Sequence, residues 1–477
     1  MDCSAIIWAK QEFARLSLGD KRRDKRFVNV ISQMMQQSEH SICRAQGVWK
    51  NIKATYRLLD SEEVSADKIL SPHIEKTVER CSQEKIILAI QDTTCLNYTK
   101  REKTHGLGFI GVRGKNKKRV KGLQMHTTLA VSTEGEPLGI LHQETWARLH
   151  QRRHRTKKDQ YQHRLLPIKE KESCKWVHSL FEVSFLPLSE DTKIIHIADR
   201  ESDLYEFLRD IIDLEGSMII RANHDRNINK KKRSDYATER LWTYMEKQPC
   251  VGKSEVEVLG SNHQLRKARL KIAVGSFTLH PPRNISPKLL DNNLRVLSLK
   301  AVFIKEVRPP KGEKCVEWML LTNLDVSEGK KLKDVIRWYT YRWNIELFHK
   351  VLKSGCSVEK CQLRTAERLK NFIAMMSVVA WRLFWLSRTG RIHPLKLCTE
   401  ILTEKEWKLL FIQTNAGKPL PKNPLTVKES ILLIAKLGGY LGRHSDAPPG
   451  MISVWRGWMA LMESEKVMNT LEAYSYG

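Results

Sequence analysis

A chain of 477 residues has room for two to four domains and a large core. It carries 82 Lys and Arg against 54 Asp and Glu, a formal charge of +28, and its 41% hydrophobic residues and 13 Trp exclude a disordered basic tail. Such an excess of cations is self-repelling and is relieved by a polyanion, which points to a folded protein that binds nucleic acid.

Residues 1 to about 70 read as all-helical. Ile6 to Leu16 is one expected helix, Asp20 caps a second through KRRDKRFVNVISQMMQQ, and a third spans Arg44 to Leu59. Arg22, Arg23, Arg26, Lys50 and Lys53 on short helices suit a small DNA-reading domain of helix-turn-helix type, and an ordinary helical cap with a solvated basic face has the same pattern. The start, MDCSAIIWAKQEF, lacks a cationic and then apolar leader, so no signal peptide is expected.

Lys85 to Asp92 (KIILAIQD) is apolar on both faces, as a central strand of a covered sheet requires, and Asp92 ends it where open α/β sheets place ligands. Lys100 to Lys121 then holds nine Lys or Arg against one Glu. Inside it Gly106 to Gly111 matches GxGxxG but opens no amphipathic helix, which excludes the dinucleotide fingerprint and leaves a glycine-rich mobile loop as the expectation. Gly122 to Val131 and Pro137 to Glu144 are expected to pair as a hairpin across Ser-Thr-Glu-Gly-Glu. A second basic segment, Arg148 to Lys175, leads into a helix from Ser173. Lys193 to Asp199 (KIIHIAD) repeats the pattern of an apolar strand ending in an acid, a helix begins near Ser202, and Ser217 to Asn223 is a further strand.

From about 225 to 308 a basic run (Lys230 to Arg233) and three strand-like pieces read as a β-rich insertion. Trp318 to Asn323 is the last strand. Val335 to Lys353 contains no helix breaker, and at about 100° per residue Tyr339, Arg342, Glu346, Lys350 and Lys353 fall within an arc of roughly 80°. Trp338, Ile345, Phe348 and Leu352 form its burial face. The polar stripe alone also fits a solvated surface with Glu-to-Lys pairs at i,i+4. Phe372 to Leu386, interrupted by Arg382, is too short to span a bilayer and reads as a buried helix, so no membrane partner is expected. After about Arg391 the chain is helical, with a capping box at Thr426 and Glu429 and a stop at Gly438. Ten Cys without a CxxC pair argue against zinc and for reduced thiols in a cytosol.

Three carboxylates stand apart from the surface acids: Asp92 and Asp199 at strand ends and Glu346 on a helix. Carboxylates suit hard divalent cations, and two such ions about 3.5–4 Å apart serve in-line phosphoryl transfer. The order strand–Asp92, strand–Asp199, β-rich insertion, helix–Glu346 resembles a DDE transposase of the ribonuclease H-like class. Tyr339-x-x-Arg342-x-x-x-Glu346 followed by Lys353 is similar to the Tyr-Arg-Glu-Lys signature of the insertion-sequence-four family, and IQDTT, ADRESD, YRWNIELFHKVLKSG and LGGY resemble its transposon-five branch.

The resemblance implies an α/β, ribonuclease H-like catalytic core over 71–390, a mixed five-stranded sheet with helices on both faces. The insertion lies within it at about 225–308, between a helical DNA-binding domain at 1–70 and a helical dimerisation domain at 391–477. It implies that Asp92, Asp199 and Glu346 are catalytic and bind two Mg2+ ions per active site, with Mn2+ substituting. Tyr339, Arg342, Lys350 and Lys353 would grip phosphates, and Trp318 would stack at the transposon end. The implied partners are double-stranded DNA, as transposon ends and target, and a second copy in a homodimeric synaptic complex in a bacterial cytoplasm, at the nucleoid. Two other readings stand beside cut-and-paste transposition. One is a cleavage-defective, end-binding inhibitor. The other is a ribonuclease H-like nuclease, which leaves the N-terminal helices, the insertion and the C-terminal region unexplained.

Overall fold

Gly47, at φ +68°, turns the chain where a single helix was expected, so that α3 (Ile42–Gln46) and α4 (Trp49–Leu59) replace one Arg44–Leu59 helix. The structure, a computed structural model, describes residues 4–475 except 115–117, 149–155, 157–158, 160, 163–164, 231–238, 260, 262–264, 283–293, 328 and 444–445. Much of the expected basic segment at 148–175, and 231–233 of the later basic run, lie outside the described residues. The chain forms two units: Met1–Gln83 with Thr93–Gln151 and Asn344–Gly477, and Glu84–Asp92 with Arg152–Trp343.

In the first unit α1 (Ser4–Glu12) and α2 (Lys21–Gln36) precede α3 and α4, and α5 (Ala66–Cys81) follows them. Asp20 caps α2 by accepting the Arg22 N–H at 2.7 Å. Phe27, Val30, Ile31, Met34 and Met35 recur at helical spacing and are buried. The strand β1 (Ile86–Asn97) contributes its residues from Thr93 onward to this unit. It is followed by β2 (Gly108–Arg113), β3 (Lys118–Ser132) and β4 (Pro137–Trp146), antiparallel to one another in turn. The expected hairpin is present, and Ser132 Oγ closes its turn by accepting the N–H groups of Glu134 and Glu136. The expected glycine-rich mobile loop is a correction: Gly108–Arg113 is a strand, paired to β3 through a bulge between Phe109 and Gly111.

The second unit starts from the two apolar runs. Residues 86–90 of β1 pair in parallel with β5 (Lys193–Ala198), and β5 pairs in parallel with β6 (Ser217–Arg221). After the short pair β7 (Asn227–Ile228) and β8 (Glu239–Arg240) come β9 (Cys250–Leu259), β10 (Leu265–Leu279), β11 (Leu297–Glu306) and β12 (Glu317–Thr322). The strand order in this unit is β1-β5-β6-β12-β11-β10-β9, with β12 antiparallel to β6. The sheet is therefore mixed, but seven strands of it lie in this unit alone where five were expected for the whole core. The reason is non-local pairing: β10 and β11 stay in register from Leu270↔Glu306 to Leu279↔Leu297, and β11 continues onto β12. Phe277, Leu279, Leu297 and Leu299 share one core with Phe207, Leu208 and Ile220, so the segment expected as an insertion extends the sheet. Its helices include α6 (Cys174–Ser184), α7 (Tyr205–Asp213), α8 (Leu241–Glu246) and α9 (Gly329–Thr340).

The first unit resumes at Asn344 within α10 (Trp343–Lys350) and continues through a π-turn at Val351–Gly355, α11 (Ala366–Ile392), α12 (Glu404–Thr414), α13 (Val427–Leu437) and α14 (Met451–Ser475). By length and composition α11 could cross a membrane, but its most apolar 18-residue stretch is 83% buried inside the protein. It is the core helix of its unit: Trp381 Nε1 donates to the Pro137 carbonyl at 3.1 Å, and Asn371 Nδ2 donates to those of Leu59 and Val64. Burial holds the Arg382 guanidinium down at about 10, over the Trp385 ring at 4.5 Å. Thr426 with Glu429, and Thr403 with Glu406, form complete capping boxes. The α13 end and α14 cross so closely that a Cβ on Gly457 would sit 1.6 Å from the Ile434 carbonyl oxygen.

Candidate active site

Parallel pairing sets the first half of the site. The register of β1 and β5 runs from Ile86↔Lys193 to Ile90↔Ile197, and Asp92 and Asp199 each stand two residues further on. The two carboxylates therefore leave neighbouring strands at one level, where strands are about 4.8 Å apart. Both are half-buried.

Asp199 is held by its own turn. Its Oδ1 accepts the Glu201 N–H at 2.9 Å, and its carbonyl accepts Ser202 Oγ at 2.7 Å. Asp203, four residues after Asp199, is wholly buried; Oδ2 accepts the N–H groups of Asn223 (2.7 Å) and His224 (3.0 Å), and Arg226 pairs with the carboxylate at 2.7 Å. This carboxylate ties the loop after β5 to the loop after β6. Sequence reading quoted it within ADRESD without giving it a role.

Tyr339, on α9, is 4% exposed. Its ring meets that of the half-buried Trp318 on β12 at 5.6 Å, edge on. Burial pushes the phenol above its ordinary range, against the opposing pull of Arg342 and Arg221, with Asp199 adding to the rise. Asp199, Arg221, Trp318, Tyr339 and Arg342 thus form one neighbourhood, and Asp92 adjoins it through Asp199. Arg221, the last residue of β6, escaped the sequence reading. It donates to the Glu317 carbonyl at 3.0 Å, and burial lowers its guanidinium pKa. Its only signal was a cation closing the apolar strand SMIIR.

The continuous Val335–Lys353 helix is a further correction. α9 stops at Thr340, the N–H groups of Tyr341 and Arg342 turn back to the carbonyls of Trp338 and Tyr339, and α10 restarts at Trp343. Tyr339 is accordingly buried and does not lie on an open polar stripe. The expected burial face is present, since Trp338, Ile345, Phe348 and Leu352 are all buried. Glu346 is half-buried on α10 and Lys350 is exposed at its end, while Lys353 lies in the π-turn, a distortion often found at functional sites. These three belong to the first unit. There Glu359 Oε1 accepts the Asn97 N–H at 2.7 Å and Tyr98 Oη donates to the Val358 carbonyl at 3.1 Å, which fixes the chain just beyond the π-turn.

The N-terminal cations divide into two kinds. Arg22 pairs with its own cap, Asp20, and Arg26 donates to Asn51 Oδ1 at 3.3 Å, bracing α2 on α4. Lys50 and Lys53 are exposed on α4 beside Trp49, which is 72% exposed.

Paired half-buried carboxylates at one level are hard oxygen donors that fit Mg2+ or Mn2+. Set on a mixed α/β sheet beside cationic side chains, they are the kind of arrangement that a metal-dependent enzyme of nucleic acids uses. Residues 108–382 match the model of the transposase DDE domain, residues 6–64 that of transposase DNA-binding, and residues 378–475 that of the transposase Tn5 dimerisation domain. The first match spans more than half of the chain, which belongs to the DDE transposase family and is Tn5-like in its dimerisation domain. Its core is ribonuclease H-like, and it is a metal-dependent enzyme that cuts and joins DNA, binds DNA and dimerises.

Proposed function

We propose that this chain is a cut-and-paste transposase of the insertion-sequence-four family, acting at terminal inverted repeats by end nicking, hairpin formation, hairpin opening and strand transfer. Residues 1–70 read the end, 71–390 carry the chemistry with the 225–308 segment as the family's insertion, and 391–477 join two copies in the synaptic complex. Asp92, Asp199 and Glu346 are the metal-binding carboxylates. Two bound Mg2+ ions, for which Mn2+ substitutes, would activate the attacking oxygen and neutralise the leaving one. Tyr339, Arg342, Lys350 and Lys353 bind phosphates and hold the scissile bond still, and Trp318 stacks against the end of the DNA.

The observation that carries this reading is the common level of Asp92 and Asp199 on adjacent parallel strands. The test is incubation with Mg2+ and a plasmid bearing the protein's own genomic flanks. Excised, hairpin-ended fragments are expected, and Asp92→Ala, Asp199→Ala or Glu346→Ala should each abolish cutting while end binding persists. A wild-type protein that shifts end DNA but never cuts it would instead be an end-binding inhibitor.

A further inference from the structure

Within the first unit a cleft of about 510 Å3 opens between α10, α11 and the start of α14, and its lining includes Lys350, Ser387, Arg388, Arg391, Ser453 and Trp455. Three of these side chains are cations and two are hydroxyls, and no carboxylate is among the described residues lining it. Arg391 is anchored at the rim, donating Nη2 to the Pro449 carbonyl at 3.2 Å. α14 begins here with no acid in its first turn, so its free N–H groups add to the positive field. Trp455 is 6% exposed, yet its indole N–H has no acceptor among the described residues. That donor is enclosed away from the cleft, so it is the three cations, with no lining carboxylate beside them among the described residues, that suit this place to an anion.

The volume limits which anion. A water occupies about 30 Å3 of liquid, so the cleft is on the order of fifteen waters in size, far larger than a bare phosphate. We propose that it binds a nucleoside phosphate, the phosphate on Lys350, Arg388 and Arg391 and the nucleoside against the apolar side that Leu347, Met451, Ile452 and Trp455 form. DNA backbone is the source that follows if the chain handles DNA as proposed above, and a free nucleotide offers the same chemistry.

Arginine modification by phenylglyoxal, read at Arg388 and Arg391 by peptide mass spectrometry on the full chain, tests this. A duplex of the element's end should slow modification of both arginines several-fold, and inorganic phosphate should do so much less. Equal protection by deoxyadenosine monophosphate would support the site and assign it to a free nucleotide. Arg391→Gln, at unchanged melting temperature, should remove the protection of Arg388, and Arg391→Lys should restore part of it. With duplex as the source, Arg388→Gln with Arg391→Gln should flatten the salt dependence of binding by about 0.9 in log–log slope per lost contact. If the duplex shifts in a gel yet neither it nor the nucleotide protects the arginines, the cleft inference is overturned and the transposase reading stands. A duplex that does not shift at all counts against that reading instead.

Discussion

Trp318 meets Tyr339 edge on, with ring centroids 5.6 Å apart and planes at 61°. The aromatic that the family resemblance sets against DNA therefore also braces a buried residue of the signature. Such a pair contributes about 0.5–1.5 kcal/mol beyond the area it buries. Trp318→Ala should lower the melting temperature and slow cleavage together. Trp318→Phe should keep most of the stability and still slow cleavage, because the larger face offered to DNA is gone. Calorimetry beside single-turnover cleavage separates the two, and an unchanged melting temperature in Trp318→Ala would show that the contact braces nothing.

Asp203 makes the second prediction. It is buried, pairs with Arg226 and accepts two backbone N–H groups from the loop after β6. Removing one partner of a buried pair typically costs about 3–5 kcal/mol. Asp203→Ala should lose stability on that scale, and Asp203→Asn less, since an amide oxygen in the place of Oδ2 can still accept both N–H groups while the charge facing Arg226 is lost. Urea denaturation measures this. A variant as stable as the parent would mean that the loop is held by something else.

Acid should weaken the fold in a defined window. His196 on β5 is wholly buried, and desolvation of its charged form lowers its pKa from 6.5 to about 4. Between those values the unfolded chain binds the proton and the folded chain does not, so stability rises with pH. The contribution is fully present above about 6.5 and is lost as pH falls to about 4, amounting to about 3 kcal/mol. Glu12 extends the loss downwards. Although burial opposes it, bonds and charge from His73 and Arg80 hold its carboxyl at about 2 in the fold, so its contribution disappears between about 4.5 and about 2. Denaturant midpoints at a series of pH values check the slope. His196→Leu should flatten it between 6.5 and 4, and a variant with the parent's slope there would refute the assignment.

What could be read from the sequence follows from how local each cause is. KIILAIQD and KIIHIAD announce covered parallel strands because both faces are apolar, and the level of Asp92 with Asp199 follows once those strands pair. The hairpin and the Thr426 capping box are likewise set by neighbours in sequence. The break at Tyr341–Arg342 has no local signal: neither Gly nor Pro occurs there, and Tyr339 is drawn inward by Trp318, Arg221 and burial. Pairing between residues as distant as Leu270 and Glu306 decides that the 225–308 segment lengthens the sheet, and alternation within one strand cannot reveal its partner. Gly47 was in plain view, but nothing local distinguishes a tolerated helix glycine from one at φ +68°.

Arg342 carries the last prediction. It sits half-buried in the two-residue break between α9 and α10, its N–H bound to the Tyr339 carbonyl at 3.1 Å, and its charge opposes the rise of the Tyr339 phenol. A residue in such a break is aimed by the turn itself, so its guanidinium is placed more narrowly than on a free helix face. Arginine forks two hydrogen bonds to one phosphate, whereas lysine offers a point charge on a flexible stem. Arg342→Lys preserves charge and removes the fork. If the fork positions the scissile phosphate, misplacement by up to about an ångström should cost about 10²-fold in cleavage rate. Affinity for the uncut end should change much less, because most contacts of so cationic a protein lie elsewhere. Gel shift and single-turnover cleavage on one end fragment measure both quantities. Normal cutting by Arg342→Lys would show that only the charge matters, and weakened binding with a normal rate once bound would make Arg342 an anchoring residue and not a positioning one.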